Sequence, residues 1–298
     1  MKVIFGHNDR GTIFDKLFKI LIKRNKAVRI ASENWQSNHI NTSHLRNAAF
    51  SLVETKYLVL LDADIWPDLS VINKYINKVK KGERAYYFLP CLYLTEKGSN
   101  DLAKSRISTA DLAKRFYSFS RKEFLHLASP SSITVMKTSD YEEIKGFNAD
   151  FCGHGYEDFD FMMRLSTHHN LLNPAPDILL DKTARSPLFA VGFRRYLGEQ
   201  CLDALLEKDM VFHIHHERPK YSEYYTARKK NYARFSELHA FRAEGDSPGE
   251  PTLISRFAQA CHERHLDIAE YSILFDNKPG HIDRFDTFRR RARFLLND

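Results

Sequence analysis

The sequence predicts an α/β fold in which helices cover both faces of a central, mostly parallel sheet. Short apolar runs alternate with amphipathic stretches through the first 90 residues, and one of these runs, 57–61, is apolar on both faces, as buried parallel strands are. Hydrophobic residues make up 43% of the 298-residue chain, which supplies a sizeable core and excludes a disordered or fibrous protein.

The individual elements follow from local patterns. Apolar runs bordered by turns predict strands at 2–6, 27–31, 57–61, 85–89, 131–136 and 210–214. Helical spacing of apolar residues predicts helices at 12–24, 45–52 and 69–80, a helical region at 99–127, and a helix that begins at Glu157. The second helix has a cap among Asn41, Thr42 and Ser43.

The domain organisation follows from a change in composition near the carboxyl end. Residues 243–252 combine charge, glycine and proline and form the best linker of the chain. We therefore expect one domain at 1–242 and a small helical extension at 253–298.

Charge and cysteine content exclude several classes of protein. The 45 lysines and arginines exceed the 38 acidic residues by a margin that is modest for a nucleic-acid binder, and no aromatic-basic recognition motif occurs. None of the four cysteines belongs to a C-x-x-C pair, so we expect buried thiols in a reducing compartment. No apolar run is long enough to span a membrane and no signal peptide is recognisable, which favours a cytoplasmic location.

Acidic residues directly follow the buried strand at 57–61. Asp62 and Asp64 occupy alternate positions there, so their carboxylates can converge on one divalent cation such as Mg²⁺ or Mn²⁺. A solvated turn is the alternative interpretation. Because parallel sheets bind ligands at the carboxyl ends of their strands, the position favours a ligand site.

A second acidic group opens the helix at Glu157. The stretch Gly153-His154-Gly155-Tyr156-Glu157-Asp158-Phe159-Asp160 places two glycines before three carboxylates in one first turn. Favourable charge at the helix amino terminus is one interpretation, and a general base that faces a ligand cleft is the other. The glycines allow close approach of a ligand to the backbone.

Histidines follow the late strand. On an extended strand His213 and His215 point to the same side, so the pair can ligate a metal together with the aspartates. Arg46 interrupts an otherwise apolar helix, and it either reaches nucleotide phosphates, orders the loop beside Asp62 or lies on an exposed face.

These motifs together resemble a GT-A glycosyltransferase, over roughly residues 1–240. Arg46-Asn47-Ala48 and then Asp62-Ala63-Asp64 are similar to the R-N-x-A and D-x-D pair of that family. The stretch 144–160 resembles the G-G-F-x-x-x-F-x-G-W-G-x-E-D-x-D block of galactosyltransferase and N-acetylgalactosaminyltransferase relatives and of bacterial capsule and chondroitin-type polymerases. Met210-x-x-His213 resembles the late metal-ligand segment.

The resemblance implies a Rossmann-like αβα sandwich and assigns roles by position. Asp158 is the expected catalytic base, with Glu157 beside it orienting sugar hydroxyls. Asp64 and His213 are the expected ligands of Mn²⁺ or Mg²⁺, with His215 as a rival of His213. The expected nucleotide contacts are Asn8, Arg10, Glu33, Arg46, Asp62 and Gly155. Three residues depart from the block: His154 replaces tryptophan, Tyr156 a frequent glycine, and Phe159 interrupts the acidic run.

The implied activity is inverting transfer of a sugar from a nucleotide-diphosphate sugar. A UDP-linked galactose, N-acetylgalactosamine or N-acetylglucosamine type of donor is favoured, and the acceptor is a hydroxyl of a growing bacterial capsule polysaccharide or lipopolysaccharide. A metal-dependent phosphohydrolase or nuclease is one alternative, and a non-catalytic module that binds anionic polymers is another. Phenylalanines and arginines within 282–298 also suggest peripheral attachment to the inner face of the cell membrane, with docking on the catalytic domain as the alternative.

Overall fold

The structure is a computed structural model that describes residues 1–34, 40–120, 122–182, 184–217, 223–244 and 252–276. The strands of these ranges are β1 Val3–Asn8, β2 Val28–Glu33, β3 Tyr57–Leu60, β4 Ile65–Trp66, β5 Tyr87–Phe88, β6 Cys91–Leu94, β7 Phe124–Ala128, β8 Thr134–Lys137 and β9 Val211–His213. The helices are α1 Ile13–Lys23, α2 Thr42–Phe50, α3 Leu69–Lys80, α4 Glu96–Ala103, α5 Thr109–Tyr117, α6 Thr138–Glu143, α7 Glu157–His168, α8 Phe193–Gly198, α9 Leu202–Leu206, α10 Glu223–Thr226, α11 Arg228–Leu238, α12 Leu253–Glu263 and α13 Ser272–Phe275.

The chain divides into two compact units. The first unit comprises Met1–Lys56, Lys137–Leu171 and Pro219–Ala240, and the second comprises Tyr57–Met136, Leu172–Arg218 and Phe241–Asp298. Both units are therefore assembled from stretches that lie far apart in the sequence.

The first unit begins with a parallel pair of strands. β1 and β2 run from the Val3–Val28 pairing to the Asn8–Glu33 pairing. Thr12 starts α1 through a capping box with Asp15, and the side chain of Asn41 starts α2 by accepting a hydrogen bond from the His44 amide. The prediction of a cap among residues 41–43 is confirmed at Asn41.

Stacked aromatic rings connect the remaining helices of the first unit. The rings of Phe50 and Tyr141 stack with their centroids 4.1 Å apart, and those of Phe147 and Phe161 stack 4.2 Å apart. Rings at these separations add specific contact energy to the burial of apolar surface. The stacking fixes α2 and α6 against each other, and it fixes the start of α7 against the loop that carries Phe147.

The second unit contains two sheets, with the strand orders β3-β8-β5 and β4-β9-β6-β7. β6 and β9 pair in parallel, whereas β5–β8, β4–β9 and β6–β7 are antiparallel. One buried cluster packs β6, β7 and β9 against α5, α12 and α13, and a second packs α3 against β5 and β8. The sheets therefore mix both directions, which apolar runs alone do not reveal.

Most predicted elements are confirmed, and one is wrong. The helix expected at 69–80 is α3 with the same bounds, and the strand expected at 85–89 contracts to β5. The helical region expected at 99–127 ends too late, because Phe124–Ala128 form β7 and pair with β6, a strand that was not predicted. A short apolar run shows its pairing only when its partner strand is known.

The described part of the carboxyl-terminal region is helical, as expected from the sequence. Leu253, Phe257 and Leu274 are buried in the same cluster as the β6 and β7 side chains. Most of the linker at 243–252 and all of 282–298 lie outside the described residues, and the division at the linker stays a prediction. None of the helices in the described ranges is long and apolar enough to cross a membrane.

Candidate functional site

One group of metal-ligating side chains lies in the second unit, at the junction of β4 and β9. Nε2 of His213 lies 3.1 Å from Oδ2 of Asp64, and Nε2 of His216 lies 3.2 Å from the same oxygen. The three residues each offer a ligand atom, and these atoms lie within 4.8 Å of one another. His213 is buried, whereas Asp64 and His216 are partly open to solvent.

Strand pairing explains why residues 149 positions apart in the chain meet. Ile65 pairs with His213 across β4 and β9, and the Ile214 amide donates a hydrogen bond of 2.9 Å to the Asp64 carbonyl. The ring of Tyr93 on β6 stacks between those of His126 and His213, with both centroid separations at 4.1 Å. This stack orients the His213 ring, and nothing in the sequence motifs indicated Tyr93 or His126.

The structure brings His216 to Asp64 in place of His215. β9 ends at His213, so the strand alternation that was expected to align His213 with His215 does not continue. His215 is exposed, and its amide donates a hydrogen bond of 2.7 Å to Oγ of Ser99. His216, which lies beyond the end of β9, therefore supplies the second imidazole nitrogen beside the carboxylate.

Electrostatics favour an ionised Asp64. Burial raises the pKa of this carboxyl, but the hydrogen bond with His213 and the charges of His213 and His216 outweigh burial and hold the pKa below its ordinary value. Asp62 lies close by in sequence and accepts a hydrogen bond of 2.6 Å from Oγ of Ser132. One carboxylate oxygen and two imidazole nitrogens that converge in this way fit a divalent cation.

In the first unit, the first turn of α7 places its three carboxylates in three different environments. Asp160 is buried and is held by Nε of Arg164 at 2.9 Å and by Nε2 of His239 at 3.0 Å. Glu157 is buried with little hydrogen bonding, whereas Asp158 is partly exposed. Asp160 therefore has a structural role, and the other two carboxyls are available for chemistry.

Arg46 holds Asp158. Nη1 of Arg46 donates a hydrogen bond of 2.7 Å to Oδ1 of Asp158, and the guanidinium lies 4.6 Å above the centre of the Phe147 ring. The ion pair and the cation–π contact together fix the guanidinium on α2. Of the three interpretations of Arg46 given by the sequence, an exposed face is therefore excluded.

Glu157 is poised to exchange a proton near neutral pH. Burial is the main cause that raises its pKa and the neighbouring charge of Asp158 adds to it, while Arg46 opposes the change, so that the pKa lies at about 7. Oγ1 of Thr42 lies 3.5 Å from Oε1 of Glu157, and hydrogen bonds with the backbone of Glu157 and Gly155 also oppose the rise in pKa. Adjacent carboxyls with different environments are typical of acid–base sites.

Asn47 fixes the loop that precedes this turn. Its Oδ1 accepts hydrogen bonds from the Tyr141 hydroxyl at 2.7 Å and from the Phe147 amide at 2.9 Å, and its Nδ2 donates to the Phe147 carbonyl at 2.8 Å. Gly146 has a φ of +62°, and a Cβ there would lie 2.6 Å from the Asn47 oxygen. The Arg46-Asn47 pair therefore positions Asp158 directly and the preceding loop through hydrogen bonds.

The glycines before α7 make close contacts within the chain itself. A Cβ on Gly153 would lie 2.6 Å from that of Ala227, and one on Gly155 would lie 2.9 Å from Nη1 of Arg228. Tyr156 between them and α7 has a φ of 72°, a left-handed conformation that is strained for a tyrosine. Its buried ring packs on Tyr232 and Phe235 of α11.

The remaining predicted nucleotide contacts also lie in the first unit. Asn8 and Glu33 are neighbours at the carboxyl ends of the parallel strands β1 and β2, and the Asp9 amide donates to the Glu33 carbonyl at 2.7 Å. Arg10 is exposed in the turn that follows. Ligands bind at this end of parallel strands, and the roles of Asn8, Arg10 and Glu33 as nucleotide contacts stay predictions.

A further group of potential metal ligands lies in the first unit, where α7 ends beside α6. Asp140, His168 and His169 offer ligand atoms within 4.8 Å of one another. His169 lies 3.4 Å from Asp140, and His168 lies 3.0 Å from Glu143. Each histidine therefore has its own acidic neighbour at the end of α7.

Comparison with known families decides the class of protein. The sequence model of the family described as glycosyltransferase like family 2 matches residues 9–241, which is most of the chain. The chain belongs to this family. It is therefore a glycosyltransferase that uses a nucleotide-sugar donor, and both sets of side chains described above lie within the matched residues. No curated protein matches the chain.

Family membership confirms the main predictions from the sequence. The transferase has the α/β fold of GT-A type, and the enzyme class expected from the resemblance is correct. The roles assigned to Asp158, Glu157, Asp64 and the histidines stay predictions, as does the likeness to particular subfamilies.

Proposed function

We propose that this enzyme is a metal-dependent, inverting glycosyltransferase that acts on a growing bacterial surface polysaccharide. The observation that carries the proposal is the pair of unlike carboxyls in the first turn of α7. Asp158 is paired with Arg46, and the neighbouring Glu157 has a pKa near neutrality. Within a nucleotide-sugar transferase, such a pair serves proton transfer and recognition of hydroxyls.

Asp158 is the proposed catalytic base. It removes the proton of the acceptor hydroxyl while that oxygen forms a bond to the anomeric carbon of the donor. The bond from the anomeric carbon to the phosphate oxygen breaks at the same time, and its electron pair leaves with the nucleotide diphosphate. Arg46 is a positioning residue in this step, because its hydrogen bond to Oδ1 orients the carboxylate.

Glu157 is the proposed contact for sugar hydroxyls. With its pKa at about 7, a large fraction of this carboxyl is protonated at neutral pH, so it can both donate and accept hydrogen bonds. Asp158 next to it remains the acceptor of the proton. The two adjacent residues thereby take different roles because their environments differ.

Asp64, His213 and His216 are the residues that would hold a divalent cation. The two imidazole ligands favour Mn²⁺ over Mg²⁺, since Mg²⁺ prefers oxygen ligands. A cation bound there would supply positive charge to offset that of the diphosphate leaving group. Tyr93 keeps the His213 ring oriented through stacking.

The finer identity of the substrates rests on the resemblance of residues 144–160. That block favours a UDP-linked galactose, N-acetylgalactosamine or N-acetylglucosamine donor and an acceptor in capsule polysaccharide or lipopolysaccharide. We place the enzyme on the cytoplasmic side of the membrane, with peripheral attachment through 282–298. A metal-dependent phosphohydrolase is the second candidate, because Asp64 and two histidines also suit hydrolysis of phosphate esters.

Release of nucleotide from UDP-, GDP- and CMP-sugars, with Mn²⁺ and with EDTA, tests the proposal. We expect turnover of one UDP-sugar that requires Mn²⁺ and is lost in Asp64→Ala. Asp101→Ala is the matched control, because this aspartate pairs with Lys97 on the exposed surface of α4 in the same unit. Hydrolysis of a simple phosphodiester without any dependence on a sugar would favour the phosphohydrolase instead.

A further inference from the structure

Helix α1 exposes a contiguous apolar surface on the side that faces away from β1 and β2. The opposite side of the helix packs against the rest of the unit. The ring of Phe18 contacts Phe5 with centroids 5.4 Å apart, and Ile22 is buried. The Asp15 carboxylate forms a hydrogen bond of 2.8 Å with His7. Five large apolar side chains are nevertheless open to solvent. They form the outward face of α1: Ile13, Phe14, Leu17, Ile20 and Leu21.

The exposure of these side chains is large and concentrated. Phe14 is 78% exposed, Ile13 69% and Leu21 63%. At 3.6 residues per turn the five positions occupy a continuous arc of roughly 120°. Exposed large apolar residues elsewhere in the described ranges are scattered over loops and other elements. A contiguous apolar patch of this kind marks an interaction surface.

The charges around the outward face of α1 select its partner. Lys16 and Lys23 are exposed along one border of the arc, and Arg24 caps the helix at its carboxyl end. The only acidic residue of the helix, Asp15, points inward to His7. An apolar arc bordered by basic residues fits the surface of an anionic lipid bilayer, where apolar side chains enter the acyl boundary and lysines meet the head groups.

We propose that the outward face of α1 docks on an anionic membrane surface. The same charges disfavour two other occupants. In a symmetric pair of copies through this face, the lysines of one helix would approach those of the other. The carboxyl-terminal segment carries Arg289, Arg290, Arg291 and Arg293, which the lysines of α1 repel. Docking through α1 depends on neither the transfer chemistry nor that segment.

Co-sedimentation of the full chain with lipid vesicles tests this inference. We compare vesicles of phosphatidylcholine alone with vesicles in which phosphatidylglycerol replaces part of it. The wild-type chain is expected to sediment with the anionic vesicles only. The variant Phe14→Ser/Leu17→Ser/Leu21→Ser should bind them at least about tenfold more weakly, and each of Lys16→Gln and Lys23→Gln roughly fivefold more weakly.

A matched triple variant controls for general loss of surface apolarity. Phe241→Ser/Leu171→Ser/Leu180→Ser removes side chains that are 57%, 46% and 54% exposed outside α1, and its binding should equal that of the wild type. Circular dichroism and thermal unfolding confirm that each variant is folded, and the single lysine variants keep the test valid if the α1 triple variant unfolds. Equal sedimentation of the α1 and control triple variants would overturn the proposal. It would also be overturned if the wild type ignored the anionic vesicles, or if the α1 variant changed only the oligomeric state in light scattering.

Discussion

The carboxylates of the two units are controlled in different ways. In the first unit, Glu157, Asp158 and Asp160 are neighbours in one helical turn, and burial and ion pairing give each a different environment. In the second unit, Asp64 meets His213 and His216 only because β4 pairs with β9. Local sequence therefore defines the members of the first group, whereas strand pairing selects those of the second.

This comparison teaches what each group contributes chemically. A turn of helix holds three acids close together, and unequal burial and the charge of Asp158 raise the pKa of one of them, Glu157. Strand pairing brings one carboxylate and two imidazole side chains to the same point. Carboxylate oxygens and neutral imidazole nitrogens are both ligands for divalent cations, so this arrangement suits cation binding. The predictions below separate the two kinds of control.

The largest effect is expected within the first turn of α7. Asp158→Asn should lower the rate of sugar transfer about 10²- to 10⁴-fold, because it removes the general base, while thermal unfolding stays close to that of the wild type. Asp160→Asn is the contrast within the same turn. It weakens the contacts with His239 and Arg164 in a buried site and should lower the free energy of unfolding by about 2–4 kcal/mol.

Steady-state kinetics and calorimetric unfolding of both variants check this contrast. A near wild-type rate for Asp158→Asn with intact donor binding would show that Asp158 is not the base. An unchanged unfolding temperature for Asp160→Asn would remove its structural role.

An intermediate effect is expected at the histidines of the second unit. His216→Ala should weaken Mn²⁺ binding about 10- to 100-fold, because it removes one of three converging ligands. His215→Ala is the matched control, since its side chain lies outside that group, and it should leave the Mn²⁺ affinity unchanged. Titration of the metal-free protein with Mn²⁺ by calorimetry measures both affinities, and the reverse order of the two variants would restore His215 as the ligand.

A further expected effect is a dependence of stability on pH at Glu157, which is spread over a pH range rather than tied to the loss of a side chain. Its pKa is about 7 in the folded protein and 4.5 for an unperturbed glutamate, so the folded state binds more protons than the unfolded state between these values. Stability should therefore fall as the pH rises from about 4.5 to about 7, by an amount on the order of a few kcal/mol.

Glu157→Gln removes this titration because glutamine stays neutral. The variant should lose less stability than the wild type between those pH values, and thermal unfolding across the window measures the difference between the two proteins. Parallel profiles would show that Glu157 is ionised throughout in the folded protein.

Much of the fold was predictable because burial leaves a periodic pattern in the sequence. α3 has the predicted bounds, and Asn41 caps α2 as one of three expected residues. The strands β6 and β7 were missed because they depend on each other: each is a short apolar run that becomes a strand by pairing with a distant segment. Whether two strands pair in parallel or antiparallel could not be predicted for the same reason.

The sequence by itself determined the family of this enzyme, and it determined that Glu157, Asp158 and Asp160 share one helical turn. Both follow from local patterns, because a motif and a helical turn each lie within one short stretch of chain. Only the tertiary structure decided that His216 meets Asp64, that Arg46 holds Asp158, and that Tyr93 and Asn47 support these two groups. The physical reason is that each contact joins residues far apart in the chain. Their distances, burial and protonation are set by packing, which no single stretch of sequence contains.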